Sequence, residues 1–510
     1  MIELKNVTFE YGSAEGAAGG IGETVSNGSL KNINLRINEG EFVLLTGGSG
    51  CGKTTILRLI NGLIPNFFEG SLEGSVTVDD FDVSHAELYD TAKSVSTVFQ
   101  NPRSQFFNVD TTSELAFTCE NQGMAEDEIL RRIDNTVSEL HLEPLMNRSL
   151  FDLSGGQKQK IACASVAVTE NKIILLDEPS ANLDLKTIDE LAGLLKKWKG
   201  EGKTIIVAEH RISYLWNLAD RTVVLKEGKI VRELSRAQMD KISEGELHAL
   251  GLRTNKCNAD CRVKPDNDTQ CHPDNDTSLV SPLGLQNMSP SGLTRGAIQS
   301  DNFLTLQNFR YKYKNGYLAL NIPQMQIPVG KITAITGNNG DGKTTMLNCL
   351  CGLGHRSKGT LLYKGKVYNR RQRQKLIFLV MQDVNHQLFT ESVLDEVLIS
   401  QGEENEEEAR RILATLDLEA FADRHPQSLS GGQKQRVAVA SAIASGRDIM
   451  LFDEPTSGLD YTHMLQIGQI LRSLKDQGKT VIVVTHDHEL IKECCDCEIC
   501  LRDFNQINPT

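Results

Sequence analysis

The sequence predicts an α/β chain made of two homologous domains, each built around a parallel sheet, and three observations carry that expectation. Several short motifs occur twice in the same order. The spacings between them agree from copy to copy. Within each copy, short β-branched apolar runs alternate with longer helical patterns, the rhythm of a parallel sheet covered on both faces. A length of 510 residues also suits two or three domains better than one core.

The duplication is explicit. "TGGSGCGKTT" (Thr46–Thr55) returns as "TGNNGDGKTT" (Thr336–Thr345), and "LSGGQKQK" (Leu153–Lys160) as "LSGGQKQR" (Leu429–Arg436). "IILLDEPSANLD" (Ile173–Asp184) returns as "IMLFDEPTSGLD" (Ile449–Asp460), and "IIVAEH" (Ile205–His210) as "VIVVTH" (Val481–His486). Ser154 lies 23 residues before Asp177, and Ser430 lies 23 before Asp453; the step from each aspartate to His210 or His486 is 33. Such self-similarity places the first domain at 1–250, a linker at 251–300 and the second domain at 301–510.

In chain order, "EFVLLTG", "KSVSTVFQ", "NKIILLDE" and "KTIIVAEH" are the expected strands of the first copy. The stretches 103–170 and 384–445 lack that rhythm and are expected to be mostly helical insertions. The acidic run Glu403–Leu413 fits a solvated helix start, with carboxylates at the positive end of the dipole. "RRQRQK" (Arg370–Lys375) fits a solvated helix face before a strand. Gly12–Ser29, rich in Gly, Ala and Ser, accounts for Tyr11 lying 42 residues before Lys53 while Tyr311 lies 32 before Lys343; it is expected to be a flexible loop. Arg253–Gly292 repeats "PDNDT", has few large apolar residues and nearly cancelling charges, and fits a disordered tether.

Composition narrows the function. Hydrophobic residues at 39% and charged residues at 24% describe a globular chain. A net charge of −13 argues against a nucleic-acid backbone as the main partner. No apolar run approaches the ~18 residues that span a bilayer, and "MIELKNVTFEYG" holds no apolar signal core, so a cytoplasmic location is expected. Twelve cysteines then fit reduced thiols. Cys257, Cys261 and Cys271 with His272 are irregularly spaced for a metal, and Cys497 and Cys500 fall on opposite faces of an expected strand.

The motifs carry phosphate chemistry. Gly47, Gly48, Ser49, Gly50, Cys51, Gly52, Lys53 and Thr54, followed by Thr55, match G-x-x-x-x-G-K-[ST] between an apolar strand and a helical pattern. Gly337, Asn338, Asn339, Gly340, Asp341, Gly342, Lys343 and Thr344, followed by Thr345, repeat it. The glycines let backbone N–H groups turn inward around phosphate oxygens. Lys53 and Lys343 are expected on the β- and γ-phosphates, and Thr54 and Thr344 on Mg²⁺. Asp177 and Asp453 end apolar strands, where ligands bind such sheets, and are expected to hold Mg²⁺. Glu178 and Glu454 are the candidate general bases, and His210 and His486 the candidate γ-phosphate contacts. Gln100 and Gln382 end a further strand in each copy, suited to Mg²⁺ or the lytic water. Tyr11 and Tyr311 are candidates to stack on a nucleobase.

Together, the phosphate loop, "LSGGQ", D-E-P, "SANLD" and "TSGLD", and the strand-end histidine resemble the ATP-binding cassette (ABC) family across all of the chain but the linker and the Gly-rich loop. The resemblance implies ATP with Mg²⁺, a helical subdomain and an antiparallel β part on each core, and an intramolecular pair of cassettes. Ser430, Gly431, Gly432 and Gln433 would then cap the nucleotide on Lys53, and Ser154, Gly155, Gly156 and Gln157 the one on Lys343.

"NGLIPNFFEGSLEGSV" (Asn61–Val76), "VFQNPRSQFF" (Val98–Phe107) and "VMQDVNHQLFTESV" (Val380–Val393) further resemble the ATPases of energy-coupling factor importers, which take up vitamins and transition-metal ions. That resemblance implies a separate membrane coupling subunit, a separate substrate-binding membrane subunit, and a peripheral place on the cytoplasmic face of the membrane. Phe106 and Phe107, with Leu388 and Phe389, are the expected exposed anchors for such a partner. Two other readings stand beside it. A soluble tandem cassette protein acting on ribosomes or nucleic acid usually carries basic arms, which this acidic chain lacks. In the ATPases of tandem sugar importers the second nucleotide site resembles a degenerate copy, whereas Lys343, Asp453, Glu454 and His486 are all present here.

Overall fold

The computed structural model describes residues 1–12, 29–254 and 302–507, apart from positions 80, 84, 182, 184, 315, 339 and 430. The expected flexible loop, nearly all of the tether, and the candidates Asn339 and Ser430 therefore lie outside the described residues. Two compact units are distinguished. The first is Met1–Asn258 with Ser428–Ser430 and Ser457–Met464; the second is Ala259–Gln427, Gly431–Thr456 and Leu465–Thr510.

The first copy contains strands β1 (Ile2–Tyr11), β2 (Leu30–Ile37), β3 (Phe42–Gly47), β4 (Gly70–Val78), β5 (Phe81–Asp82), β6 (Val95–Val98), β7 (Ile173–Asp177), β8 (Thr204–Ala208), β9 (Arg221–Lys226) and β10 (Lys229–Ser235). They form an antiparallel sheet ordered β2-β1-β4-β5 and a six-stranded sheet ordered β6-β7-β8-β3-β9-β10. The latter is parallel from β6 to β9, with β10 antiparallel on its edge.

Why the central strands are continuously apolar follows from their two covered faces. Val43 and Leu45 of β3 pack with Ile173 and Leu175 of β7 against the antiparallel sheet. Phe42 and Leu44 pack with Ile174 and Leu176 on the opposite side, against Leu191 and Trp198. Alternate side chains thus enter different cores, which favours apolar residues at most strand positions.

Between β6 and β7 lies the expected helical insertion. In chain order the longer helices include α1 (Lys53–Ile60), α2 (Thr111–Asn121), α3 (Glu126–Leu140), α4 (Gly155–Val168) and α5 (Leu185–Gly200). Leu115, Ile133, Leu142, Leu150 and Ile161 give that insertion its own core.

The second copy repeats the plan with β11 (Phe303–Lys312), β12 (Leu318–Pro328), β13 (Ile332–Thr336), β14 (Lys358–Tyr363), β15 (Lys366–Tyr368), β16 (Ile377–Val380), β17 (Ile449–Asp453), β18 (Thr480–Val484) and β19 (Cys497–Cys500). Its sheets run β12-β11-β14-β15 and β16-β17-β18-β13-β19, the same order without the final edge strand. Its helices include α6 (Lys343–Leu350), α7 (Arg370–Leu376), α8 (Val393–Leu398), α9 (Glu406–Thr415) and α10 (Gly431–Ala444).

Helix α9 starts as expected: Glu406, Glu407 and Glu408 fill its first turn, and the Asn405 side chain accepts the Glu408 N–H. Helix α7 has the expected solvated face at Arg371, Gln372 and Lys375 but departs from it at Arg373. Arg373 is buried and donates to the Cys349 carbonyl at 3.0 Å. Its stem packs inward while one guanidinium nitrogen reaches a backbone carbonyl and its Nε is buried without a hydrogen-bond partner, which a run of like charges does not reveal.

Candidate functional site

Strand β3 ends at Gly47, whose φ of +143 to +147° class is shared by Gly337; at Gly47, φ is 147°. A Cβ there would lie 2.1 Å from the Leu225 carbonyl oxygen, so only glycine fits. Gly52 and Gly342, with φ of 103° and 93°, cap the N-termini of α1 and α6 in the left-handed conformation. Each turn therefore delivers the chain from a buried strand into a helix whose first N–H groups are available to an anion.

Lys53 is 4% exposed, and its Nζ donates to the Gly47 and Gly48 carbonyls, both at 3.1 Å, with His210 Nε2 3.2 Å away. A buried ammonium curled back onto the loop's own carbonyls marks a place built for negative charge. Lys343 does the same, reaching the Gly337 carbonyl at 2.6 Å and the Asn338 carbonyl at 2.9 Å. Among its differences, the second loop has the Asp341 carboxylate accepting the Asn338 N–H at 2.7 Å, where the first loop carries Cys51.

At the carboxyl ends of β7 and β17 two acids stand side by side with divergent environments. Asp177 accepts the Thr54 hydroxyl at 3.1 Å and is buried. Desolvation, reinforced by the charge of Glu178, pushes its carboxyl up to about 7. Asp453 is raised as well, again by burial, against a hydrogen bond from Thr344. A buried carboxyl beside a threonine hydroxyl offers two hard oxygen donors and an unmet demand for positive charge. That donor set fits Mg²⁺, which takes few protein ligands and keeps oxygen from phosphate and water.

Glu178 goes the other way. Burial works to raise it, but His210, Lys53 and a hydrogen bond from Gln100 more than offset this and hold the carboxylate below its ordinary range. Gln100 Nε2 donates to Glu178 at 2.7 Å, and His210 Nε2 lies 3.2 Å from its other oxygen. Gln100, Glu178, His210 and Lys53 thus form one connected set. In the second copy His486 Nε2 is 3.6 Å from Glu454, and Gln382 is exposed just beyond β16. Both glutamates adopt the left-handed conformation, with φ of 43° and 49°, because their N–H groups turn to the ends of the neighbouring strands at Ala208 and Val484. The same turn occurs in both copies and brings each carboxylate to its histidine.

Helix α4 begins at Ser154, whose hydroxyl accepts the Gln157 N–H at 3.3 Å while Gln157 Oε1 accepts the Ser154 N–H at 3.0 Å. Gln157 is therefore part of a reciprocal cap that shapes the helix start. Gly155 and Gly156 follow in the first turn, as Gly431 and Gly432 do in α10.

The candidate tyrosines sit differently in the two copies, although Tyr11 and Tyr311 both pack against their cores. Tyr11 hydrogen-bonds Thr55 at 3.1 Å and takes a bond from Arg58, with its ring edge-on to Phe9. The equivalent contact to Thr345, at 2.9 Å, comes from Tyr313, while Tyr311 packs onto the core. Tyr311 and Tyr313 share one face of an extended segment, so the pattern alone could not choose between them. The expected anchors also divide: Phe107 and Phe389 are 75% and 73% exposed, whereas Leu388 is buried and Phe106 packs between two cores. Glu209, Glu114 and Glu396, all buried acids, were missed, because nothing in the sequence separates a buried glutamate from a surface one.

A glycine-lined phosphate loop, a buried lysine, a Thr–Asp pair and a Glu–His pair at the carboxyl edge of a parallel sheet define a nucleoside-triphosphate hydrolase of the phosphate-loop class. Comparison with known proteins sharpens this. The ABC transporter family model matches residues 30–181 and 320–457. A provisionally named ABC transporter ATP-binding protein of Treponema denticola is 41% identical over 97% of this chain and 94% of its own length. A protein of the same provisional name from Methanosarcina mazei is 31% identical over 98% of this chain and 87% of its own. A solved assembly of ribosome-bound archaeal Pelota and ABCE1 contains a chain alike in fold, with TM-score 0.62 and 22% identity over 96% of this chain and 75% of that one. The chain belongs to the ABC transporter family, with two ATP-binding cassettes in tandem; it is an ATPase that uses ATP with Mg²⁺.

Proposed function

We propose that this protein is the ATP-hydrolysing subunit of a membrane importer of the energy-coupling factor type, for a vitamin or a transition-metal ion, seated on the cytoplasmic face of the membrane. No helix among the described residues is long and apolar enough to cross a membrane, and the reading assigns the membrane coupling subunit and the substrate-binding subunit to other chains. In each ATP site Lys53 or Lys343 holds the β- and γ-phosphates, and Thr54 with Asp177, or Thr344 with Asp453, holds Mg²⁺. Glu178 or Glu454 serves as base for the attacking water, with His210 or His486 at the γ-phosphate. Gln100 or Gln382 reports the state of the site to the loop that follows. The signature serine and glycines of each cassette complete the site of the other.

The observation that carries the importer reading is the presentation of Phe107 and Phe389. Each residue is about three-quarters exposed, with the Phe107 ring stacked on Phe117 at 5.0 Å, and its N–H is fixed at 3.0 Å by a buried carboxylate, Glu114 in one copy and Glu396 in the other. The next N–H, of Asn108 or Thr390, goes to the same carboxylate. An aromatic held rigidly in solvent is a costly arrangement for an isolated subunit and a ready anchor for a partner helix. Both anchors sit seven residues past the glutamine of their site.

Phe107→Ala/Phe389→Ala is expected to keep nucleotide binding and basal ATPase while losing co-purification with membrane subunits. A folded double variant that still co-purifies refutes the anchor assignment. Recovery of the native protein on ribosomes rather than with membrane subunits refutes the importer reading.

A further inference from the structure

Strand β8 delivers Glu209 into the interior beside His210, and the 3%-exposed Glu209 carboxylate gathers four donors. One oxygen accepts the N–H groups of His210 at 2.8 Å and Arg211 at 3.1 Å. The other accepts the Ser180 N–H at 3.2 Å and the Tyr214 hydroxyl at 3.0 Å. Ser180 stands two residues after Glu178, and His210 faces Glu178 at 3.2 Å. A single buried carboxylate therefore ties together the two backbone segments that carry the facing Glu178 and His210.

The second copy makes the same tie from a different position. Thr485 and Asp487 replace Glu209 and Arg211, and Thr456 replaces Ser180. There the buried acid is Asp487, which accepts the Thr456 hydroxyl at 2.7 Å and the Leu490 N–H at 3.2 Å. Thr485 accepts the Asp487 N–H at 3.0 Å. The acid has moved two residues along the chain, yet it still joins the segment after the catalytic glutamate to the segment of the histidine. Retention of the connection despite exchange of the residue points to a requirement on geometry rather than on local sequence.

We propose that Glu209 is a positioning residue of the first ATP site, holding Glu178 and His210 in register, and that Glu209/Arg211 and Thr485/Asp487 are interchangeable solutions to that task. This rests on the assignment of Glu178 and Glu454 as the hydrolytic bases. Charge-assisted bonds to four donors make the carboxylate hard to replace by a lone hydroxyl, and small misplacements of reacting groups are expensive in rate.

The test is single-turnover ATP hydrolysis by the full chain carrying Glu454→Gln, which reports the first site. Adding Glu209→Thr is expected to slow that step about tenfold or more, with ATP affinity changed by less than about threefold. Glu209→Thr/Arg211→Asp, which copies the second cassette, is expected to restore the rate to within about threefold of its parent. A Glu209→Thr rate within about twofold of the parent, or a folded pair no faster than the single variant, overturns the proposal. Should Glu209→Thr not fold, the reciprocal exchange decides in the Glu178→Gln chain: Asp487→Arg slows the second site and Thr485→Glu/Asp487→Arg recovers it, and failure to recover overturns the proposal. Hydrolysis that persists in Glu178→Gln/Glu454→Gln removes the base assignment instead, and with it the ground for this inference.

Discussion

Glu178 and Asp177 are neighbours in sequence with opposite electrostatic fates, and the difference lies in what each faces. Asp177 is buried and faces a threonine hydroxyl; Glu178 faces His210 and Gln100. The motif D-E-P was legible as a pair of functional acids. Which of them is held ionised by protein groups, and which awaits a cation, was not, because that depends on partners 30 to 120 residues away. Glu178→Gln is expected to cost roughly 10²–10⁴ in rate at its site. Steady-state ATPase of the single variant then separates two regimes: about half the activity remains if the sites act independently, and nearly none if they alternate. A single variant with wild-type turnover shows that the first site is not catalytic.

At the scale of elements, each of the four strands expected in the first copy is present, because burial on both faces writes a continuous apolar run. Strands of the antiparallel sheets were less legible, since their alternation is interrupted by bulges such as those between β1 and β2. Helix starts were partly legible. Asp110 accepts the N–H groups of Thr112 and Ser113 at the start of α2. Those backbone bonds, with the Ser113 hydroxyl, hold its carboxylate below the ordinary value of 3.8. A depressed folded-state value means the cap stabilises above the unfolded value and is lost as pH falls through the folded one. Asp110→Ala is thus expected to destabilise by ~1 kcal/mol at neutral pH, with the gap to wild type closing as the solution is acidified below that range. Denaturant melts at several pH values measure this; a gap independent of pH argues against the cap.

For the molecule as a whole, two cassettes on one chain predict closure without a second polypeptide. Arg253–Gly292 joins the two copies in one polypeptide. ATP-driven closure of Glu178→Gln/Glu454→Gln is therefore expected to be independent of protein concentration in small-angle scattering, and an ATP-dependent dimer of whole chains contradicts it. The sequence by itself determined the duplication, the parallel-sheet cores, the phosphate loops and the acids and histidines at strand ends. These are local in the chain: a loop needs its glycines in order, and a doubly buried strand needs its apolar run. Only the tertiary structure decided that Tyr313 rather than Tyr311 meets Thr345, that Phe107 is exposed while Phe106 is not, and that Glu209 is a buried hub. Those outcomes turn on which distant segment packs against a side chain, and the residue's type and its neighbours in sequence do not encode that.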